Sequence, residues 1–194
     1  MNITALAINL PHRTDRYEHV TNEVKKLTLN SFEIVEGIID ETKTCFQSQK
    51  KCIRIAKEKK LPYVLVLEDD VIFTDNAQQQ FEDAFNVVNE MQWDMLFLGA
   101  NLQKPAEQIA NNVLKINGAY AAHAYMVHER FYDTILNLPH TCEMDVHYHN
   151  LMAEHNVYMC DPMIAYQLPS HSDLQNGYRD YNEAMFNNYL RYKP

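Results

Sequence analysis

Tyr63-Val64-Leu65-Val66-Leu67-Glu68-Asp69-Asp70-Val71-Ile72-Phe73 is the stretch that decides the fold. Five apolar residues run straight into three acids, and three apolar residues follow. A short continuous apolar run reads as a strand buried on both faces, as in sheets covered by helices. Pro62, just before it, suits a strand start. Three adjacent carboxylates repel one another strongly in a dry core. They are tolerable at the carboxyl end of a strand, where open α/β sheets bind ligands. Alternation along a strand places Glu68 and Asp70 on one side and Asp69 on the other. Two readings fit this pattern. One is an acid-x-acid site that holds Mn²⁺ or Mg²⁺ against a diphosphate. The other is a turn carrying solvated acids.

Working outward, Ile3 to Asn9 reads as a buried strand, and Pro11 to Arg16 as a loop in which Thr14 or Asp15 caps a helix. That helix is predicted to reach about Leu29, with Tyr17, Val20, Val24 and Leu27 on its apolar face. A strand over Phe32 to Val35, a helix over Thr44 to Lys59, a helix over Asn76 to Glu90 and a strand over Trp93 to Leu98 complete a β-α-β-α-β-α-β order. Such an order predicts parallel strands covered by helices. Beyond it, Gly99 to Asn112 is polar and reads as a loop. Short strands are expected at Val113–Ile116 and Ala121–Val127, separated by the turn signal Asn117-Gly118. Helices are expected at Glu129–Leu138 and Asp145–His155, and a strand at Val157–Met159. Asp161 to Asp173 reads as mostly extended. Tyr181, Met185, Tyr189 and Tyr192 predict a tail helix packed on the body.

The 194 residues fit one domain, and 46% hydrophobic content is enough for a full core. A net charge of −9 argues against a nucleic-acid backbone as partner, which needs a clustered basic surface. It suits a protein that recruits cations. Cys45, Cys52, Cys142 and Cys160 show no CxxC spacing and read as buried hydrophobes or free thiols, as in a reducing compartment. The first residues lack a basic n-region, and no stretch approaches a transmembrane span, so a cytoplasmic protein is expected. The aromatic tail, with Arg179, Arg191 and Lys193, leaves peripheral membrane contact open, although aromatic stripes at helical spacing mostly pack a core.

Three further groups carry candidate chemistry. Arg13 and Arg16 follow the first strand, where a guanidinium can fork onto phosphate or ribose oxygens; solvated surface is the plain alternative. His171, late in a polar loop, is either a metal ligand or phosphate donor, or an exposed histidine. Glu143-Met144-Asp145-Val146-His147-Tyr148-His149 alternates acids and imidazoles without a cysteine to complete a zinc site. Asp145, at a helix start, is either a general base or an N-cap, and Glu143 is its rival.

Taken in order, these pieces resemble glycosyltransferase family 25. Ala7-Ile8-Asn9-Leu10-Pro11-His12-Arg13-Thr14-Asp15-Arg16 is similar to its "INL…R.DR" opening, and Leu65-Val66-Leu67-Glu68-Asp69-Asp70 to its "EDD" strand end. Cys45-Phe46-Gln47-Ser48-Gln49 resembles a "CxxSH" helix start, with Gln49 where a histidine is usual. Trp93 to Gly99, Ala122 to Val127, Met144-Asp145 and Pro169-Ser170-His171 follow as further family-like segments.

The resemblance implies an α/β, GT-A-like nucleotide-sugar-binding sandwich with a mostly parallel central sheet and a small C-terminal acceptor lobe. Residues 1–100 would be the nucleotide-binding half and 101–194 the acceptor half and tail. It implies inverting, Mn²⁺- or Mg²⁺-assisted transfer of a hexose from a UDP-sugar to a hydroxyl on a glycan, glycolipid or protein. The expected site has Asp70, Glu68 and His171 on the metal. Asn9, Arg13, Arg16, Ser48, Glu68 and Asp69 would hold the donor, and Asp145 would be the catalytic base. A nucleotide-sugar-binding module without turnover and a metal-dependent phosphohydrolase remain open.

Overall fold

The structure is a computed structural model that describes residues 2–38, 45–173 and 176–194. The chain begins with strand β1 (Thr4–Asn9), helix α1 (Thr14–Glu23), β2 (Ser31–Glu36), α2 (Phe46–Glu58), β3 (Tyr63–Glu68), β4 (Val71–Phe73), α3 (Ala77–Asn89) and β5 (Met95–Phe97). There follow β6 (Asn101–Leu102), β7 (Glu107–Ala110), β8 (Val113–Lys115), β9 (Ala119–Tyr120) and β10 (Ala124–His128). The last part holds α4 (Tyr132–Leu136), α5 (Met144–Leu151), β11 (Val157–Cys160), β12 (Ala165–Gln167), β13 (Ser170–Ser172), β14 (Gly177–Arg179) and α6 (Asn182–Tyr192).

Eight strands form one sheet in the order β2-β1-β3-β10-β5-β11-β8-β7. β2, β1 and β3 are mutually parallel, as are β5 and β11. β10 lies antiparallel between β3 and β5. The alternating β-α order predicts parallel neighbours, and here an antiparallel strand divides them. The reason lies in the apolar signal itself. Ala124, Tyr125, Met126 and Val127 are all fully buried, and a run buried on both faces encodes burial, not direction.

Side-chain alternation splits the core in two. Leu6, Ile8, Val64 and Val66 pack with Phe46, Ile53 and Ala56 of α2 and with Tyr148 of α5. Ala5, Ala7, Leu65 and Leu67 pack with Val20 of α1 and with Phe81, Phe85 and Val88 of α3. The sheet is thus the middle layer of an α/β/α sandwich. α2 owes its place to its pattern: Phe46, Gln49, Cys52, Ile53 and Ala56 recur at helical spacing and are all buried, while its lysines face outward.

Several boundaries differ from the sequence reading. The first helix stops at Glu23 and continues as a 3-10 turn over Val24–Lys26, not to Leu29. Thr44, the expected start of the second helix, lies outside the described residues. Gly99 to Asn112 is not wholly loop, since β6 and β7 fall within it. β7 was hidden because it is a short, largely exposed edge strand, Glu107-Gln108-Ile109-Ala110, inside an otherwise polar stretch. The expected strand at Ala121 starts only at Ala124; Ala121 has φ 69°, a left-handed conformation that stops a strand. All four cysteines are free thiols.

β3 ends at Glu68, and Asp69-Asp70 turns the chain into β4, which pairs with β12 outside the main sheet. The return segment crosses the end of β5 at Gly99. Ile164 N–H donates to Leu98 O at 2.8 Å, and a Cβ at Gly99 would sit 2.0 Å from the carbonyl oxygen of Ala165. Only glycine permits that approach. Gly99→Ala is therefore expected to destabilise the fold by about 1–3 kcal/mol, the usual cost of overpacking. A urea-unfolding midpoint equal to that of the parent would refute this account.

Candidate functional site

The carboxyl ends of β1, β2 and β3 open into a cleft of about 610 Å³. The starts of α2 and α5 and the segment around Tyr120 close its other sides. Of the residues anticipated from sequence, Arg16, Ser48, Glu68, Asp69, Asp70 and Asp145 line it. Asn9, Arg13 and the His171 imidazole do not.

The three acids have three different fates. Asp69 is spent on structure. Asn9 Nδ2 donates to its Oδ2 at 2.8 Å, and Arg16 Nη1 donates to its Oδ1 at 2.8 Å. Arg16 also donates through Nη2 to Ser170 Oγ at 2.7 Å and to His171 O at 3.1 Å. Glu68 accepts at Oε1 from Gln49 Nε2 at 3.1 Å. Asp70 keeps Oδ2 3.6 Å from Arg16 Nη1, while its Oδ1 is buried without a hydrogen bond of normal length. The nearby Gln167 amide favours its ionised form. The expectation that Glu68 and Asp70 share a side and Asp69 stands opposite is corrected in part. Strict alternation ends with β3 at Glu68, so Asp69 and Asp70 both meet Arg16, and Glu68 turns to α2.

Burial drives the electrostatics. It pushes the Glu68 carboxyl well above the usual range, with Asp70, Asp69 and Asp145 adding repulsion. It raises Asp70 to about 6, against the pull of Arg16. It raises the Cys45 thiol as well, with Glu68, Glu143 and Asp145 reinforcing the shift.

The remaining residues take other parts. Arg13 directs Nε and Nη2 at Asp15, at 3.0 and 2.8 Å, and Nη1 at Asp173 and at His171 O. It thus fastens the β13–β14 hairpin to the first loop. His171 is exposed and serves through its backbone carbonyl, not its ring. Ser48 Oγ accepts from Ile38 N–H at 2.7 Å and contacts Ile38 O at 3.2 Å, which pins the chain leaving β2. Asp145, in the first turn of α5, accepts the Ala121 N–H at Oδ2 at 3.3 Å. Sequence reading missed Tyr120, Gln167 and Arg179 as cleft residues. No local spacing announces them, because distant segments bring them in. Gln49 was visible only as a departure from the family pattern.

Among the described residues, no three His, Cys, Asp or Glu side chains converge closely enough to hold a metal by themselves. The donor set still fits a hard divalent cation. Mg²⁺-type ions are commonly held by one or two carboxylates, with water and substrate phosphates completing the shell. A buried carboxylate oxygen without a partner, beside a second raised carboxylate, is the opening such an ion fills.

A folded-state pKa raised from 3.8 to about 6 means that ionised Asp70 opposes folding above about pH 6. That cost is relieved as the pH falls through 6 towards 4. In chelator at pH 7.5, Asp70→Asn is expected to melt higher than the parent, with the gap narrowing below pH 6 and closing only towards pH 4. Mn²⁺ affinity of the parent should fall over the same interval. A lower melting temperature for Asp70→Asn at pH 7.5 would contradict this assignment of the buried charge.

The solved structures that share this architecture are distant in sequence. They include A197 from STIV (12% identity, TM-score 0.55, covering 87% of this chain and 86% of that one). TarS 1-349 from S. aureus matches at 9% identity and TM-score 0.53, over 98% of this chain and 65% of that one. A UDP-glucose pyrophosphorylase complexed with UDP-glucose matches at 9% identity and TM-score 0.53, over 98% and 97%. These likenesses establish the fold alone, a GT-A-like α/β sandwich with a large, mixed, mostly parallel sheet. No curated protein matches the sequence. Residues 38–131 match the model of glycosyltransferase family 25 (LPS biosynthesis protein). That segment, just under half of the chain, holds α2, β3 and the acid cluster, and it is there that the chain is similar to glycosyltransferase family 25.

Proposed function

We propose that the protein transfers a hexose, galactose or glucose, from a UDP-sugar to a hydroxyl on a glycan, glycolipid or protein, with inversion. The observation that carries this reading is the pair Glu68 and Asp70 at the end of β3, with Asp70 Oδ1 buried and unbonded in a cleft that Asp145 also lines.

Mn²⁺ or Mg²⁺ held by Asp70 and Glu68 would supply charge neutralisation on the leaving diphosphate. Arg16, kept in place by Asp69 and Ser170, sets a fixed positive charge beside Asp70 and orients the donor phosphates. Asn9 and Arg13 act one step back. Asn9 ties Asp69 to the first loop, and Arg13 holds the hairpin that carries Ser170. Ser48 shapes the floor after β2 on the nucleotide side. His171 remains a candidate donor contact through its backbone alone.

Across the sugar, Asp145 accepts the proton of the acceptor hydroxyl. That oxygen bonds to the anomeric carbon while the bond to the diphosphate breaks. Inversion requires this base on the face opposite the leaving group. The Ala121 N–H holds Oδ2, which fixes the carboxylate's direction. In this reading residues 1–100 serve the donor and 101–194 the acceptor, within a cytoplasmic protein. Among the described residues no helix is long and apolar enough to cross a membrane, so a lipid-linked acceptor would be reached from the bilayer surface.

The sparse metal ligation favours one second reading, a module that binds nucleotide sugars without turnover. A panel of nucleotide sugars incubated with Mn²⁺ or Mg²⁺ separates the possibilities, since slow donor hydrolysis needs no acceptor. Release of UDP from one UDP-hexose is expected. Tight binding without release would favour the module, and monophosphate released from many nucleotides would mark a phosphohydrolase. With an acceptor in hand, Asp145→Asn should slow transfer by about 10²- to 10⁴-fold, the usual worth of a general base. Donor affinity should stay unchanged. The N-cap position of α5 is Glu143 and not Asp145, so normal transfer with a lowered melting temperature would instead leave Asp145 only its structural bond to the Ala121 N–H and move the role to Glu143.

A further inference from the structure

A line of directed hydrogen bonds runs from the core to the acid cluster. Tyr148 of α5 donates its hydroxyl to Tyr125 Oη at 3.2 Å. Tyr125 of β10 donates to Gln49 Oε1 at 2.8 Å. Gln49 of α2 donates through Nε2 to Glu68 Oε1 at 3.1 Å and to Cys45 Sγ at 3.3 Å. Gln49, Tyr125 and Tyr148 are each no more than 1% exposed.

The direction of this line is forced. Gln49 Oε1 can only accept, so it takes the one proton Tyr125 has. Tyr125 oxygen is then free to accept from Tyr148. Reversing the amide would set its oxygen against the Glu68 carboxylate, and the Tyr125 hydroxyl would have to accept from the NH₂ and turn its proton towards Tyr148. The amide therefore has one stable orientation, and both its N–H groups and its oxygen are used. Three polar side chains buried together carry a desolvation cost that apolar residues of the same size would avoid. They recover it only by satisfying one another, and such fully satisfied networks rigidify what they hold.

We propose that Gln49, locked by the Tyr125 hydroxyl, is a positioning residue that fixes the Glu68 carboxylate for the divalent cation. The inference rests on reading Glu68 and Asp70 as the cation site. A neutral amide suits the task. It donates to the carboxylate yet brings no positive charge to compete with an incoming ion. Outer partners that orient a ligating group commonly change metal affinity by about 10- to 100-fold when removed.

The test is calorimetric titration of the intact chain with Mn²⁺ alone, alongside melting curves recorded in chelator. The variants are Gln49→Leu, Tyr125→Phe, Tyr148→Phe and Asp70→Asn. Gln49→Leu is expected to weaken Mn²⁺ by about 10- to 100-fold, and Tyr125→Phe, which frees the amide to turn, by about 10-fold. Tyr148→Phe should stay within about two-fold, since Tyr125 still donates to Gln49 without it. Tyr125→Phe removes two buried hydrogen bonds and Tyr148→Phe one, so both melting temperatures should fall, that of Tyr125→Phe further. Should Gln49→Leu fail to fold, the contrast between the two tyrosine variants decides the matter. Equal Mn²⁺ affinity in those two, with Asp70→Asn abolishing binding, would overturn the positioning role and leave the cation site standing. An undetectable Mn²⁺ isotherm for the parent, or one that Asp70→Asn leaves unchanged, would overturn the cation site and this inference with it.

Discussion

The Arg16 guanidinium is the contact on which the site depends. It sits at the start of α1, bonds Asp69 after β3 and Ser170 in β13, and stands 3.6 Å from Asp70. One planar cation thereby joins three segments that are far apart in the chain. Its fork geometry is what allows this, because an ammonium would offer a point charge in place of two directed arms. Without it, adjacent carboxylates at the end of a buried strand would face each other across low-dielectric surroundings.

Around that contact the acids divide their labour. Asp69 is neutralised by Arg16, takes a further hydrogen bond from Asn9 and becomes structure. Glu68 is met by a neutral amide and stays raised in pKa. Asp70 carries the oxygen that the protein leaves unbonded. A triplet of like charges thus yields one anchor, one oriented carboxylate and one open acceptor. The instability is concentrated where a cation can relieve it, and the surrounding fold supports the strain through a well-packed two-faced core.

Much of this was legible in the sequence where the signal was local. The apolar run 63–67, the acids after it and the helical period of α2 place the strand, its open end and the covering helix without reference to anything distant. Arg16, Glu68, Asp69, Asp70, Ser48 and Asp145 were all singled out, and all line one cleft. What stayed hidden was non-local. The antiparallel insertion of β10 leaves no trace in the apolar run Ala124–Val127, and the short, exposed edge strand β7 looks like loop. Arg13 carries the same residue type as Arg16 three positions away. Only the hairpin bearing Asp173, late in the chain, decides that it is a fastener and not a cleft residue. His171 reads as a ligand by type, yet its ring is exposed and its carbonyl is what the arginines use.

The place of β10 governs how the molecule can be assembled. β3 and β5 are made early, but the strand that joins them arrives only at Ala124–His128. Until then, both early strands present open hydrogen-bonding edges in apolar sequence, the situation in which a growing chain is prone to aggregate. Pairing of this kind closes long loops before it is rewarded, which slows folding relative to local contacts. Any division into a donor and an acceptor half would therefore be one of chemistry alone. As a folding unit the sheet is indivisible, and a nascent chain holding every donor-side residue still lacks the strand that makes them a single body.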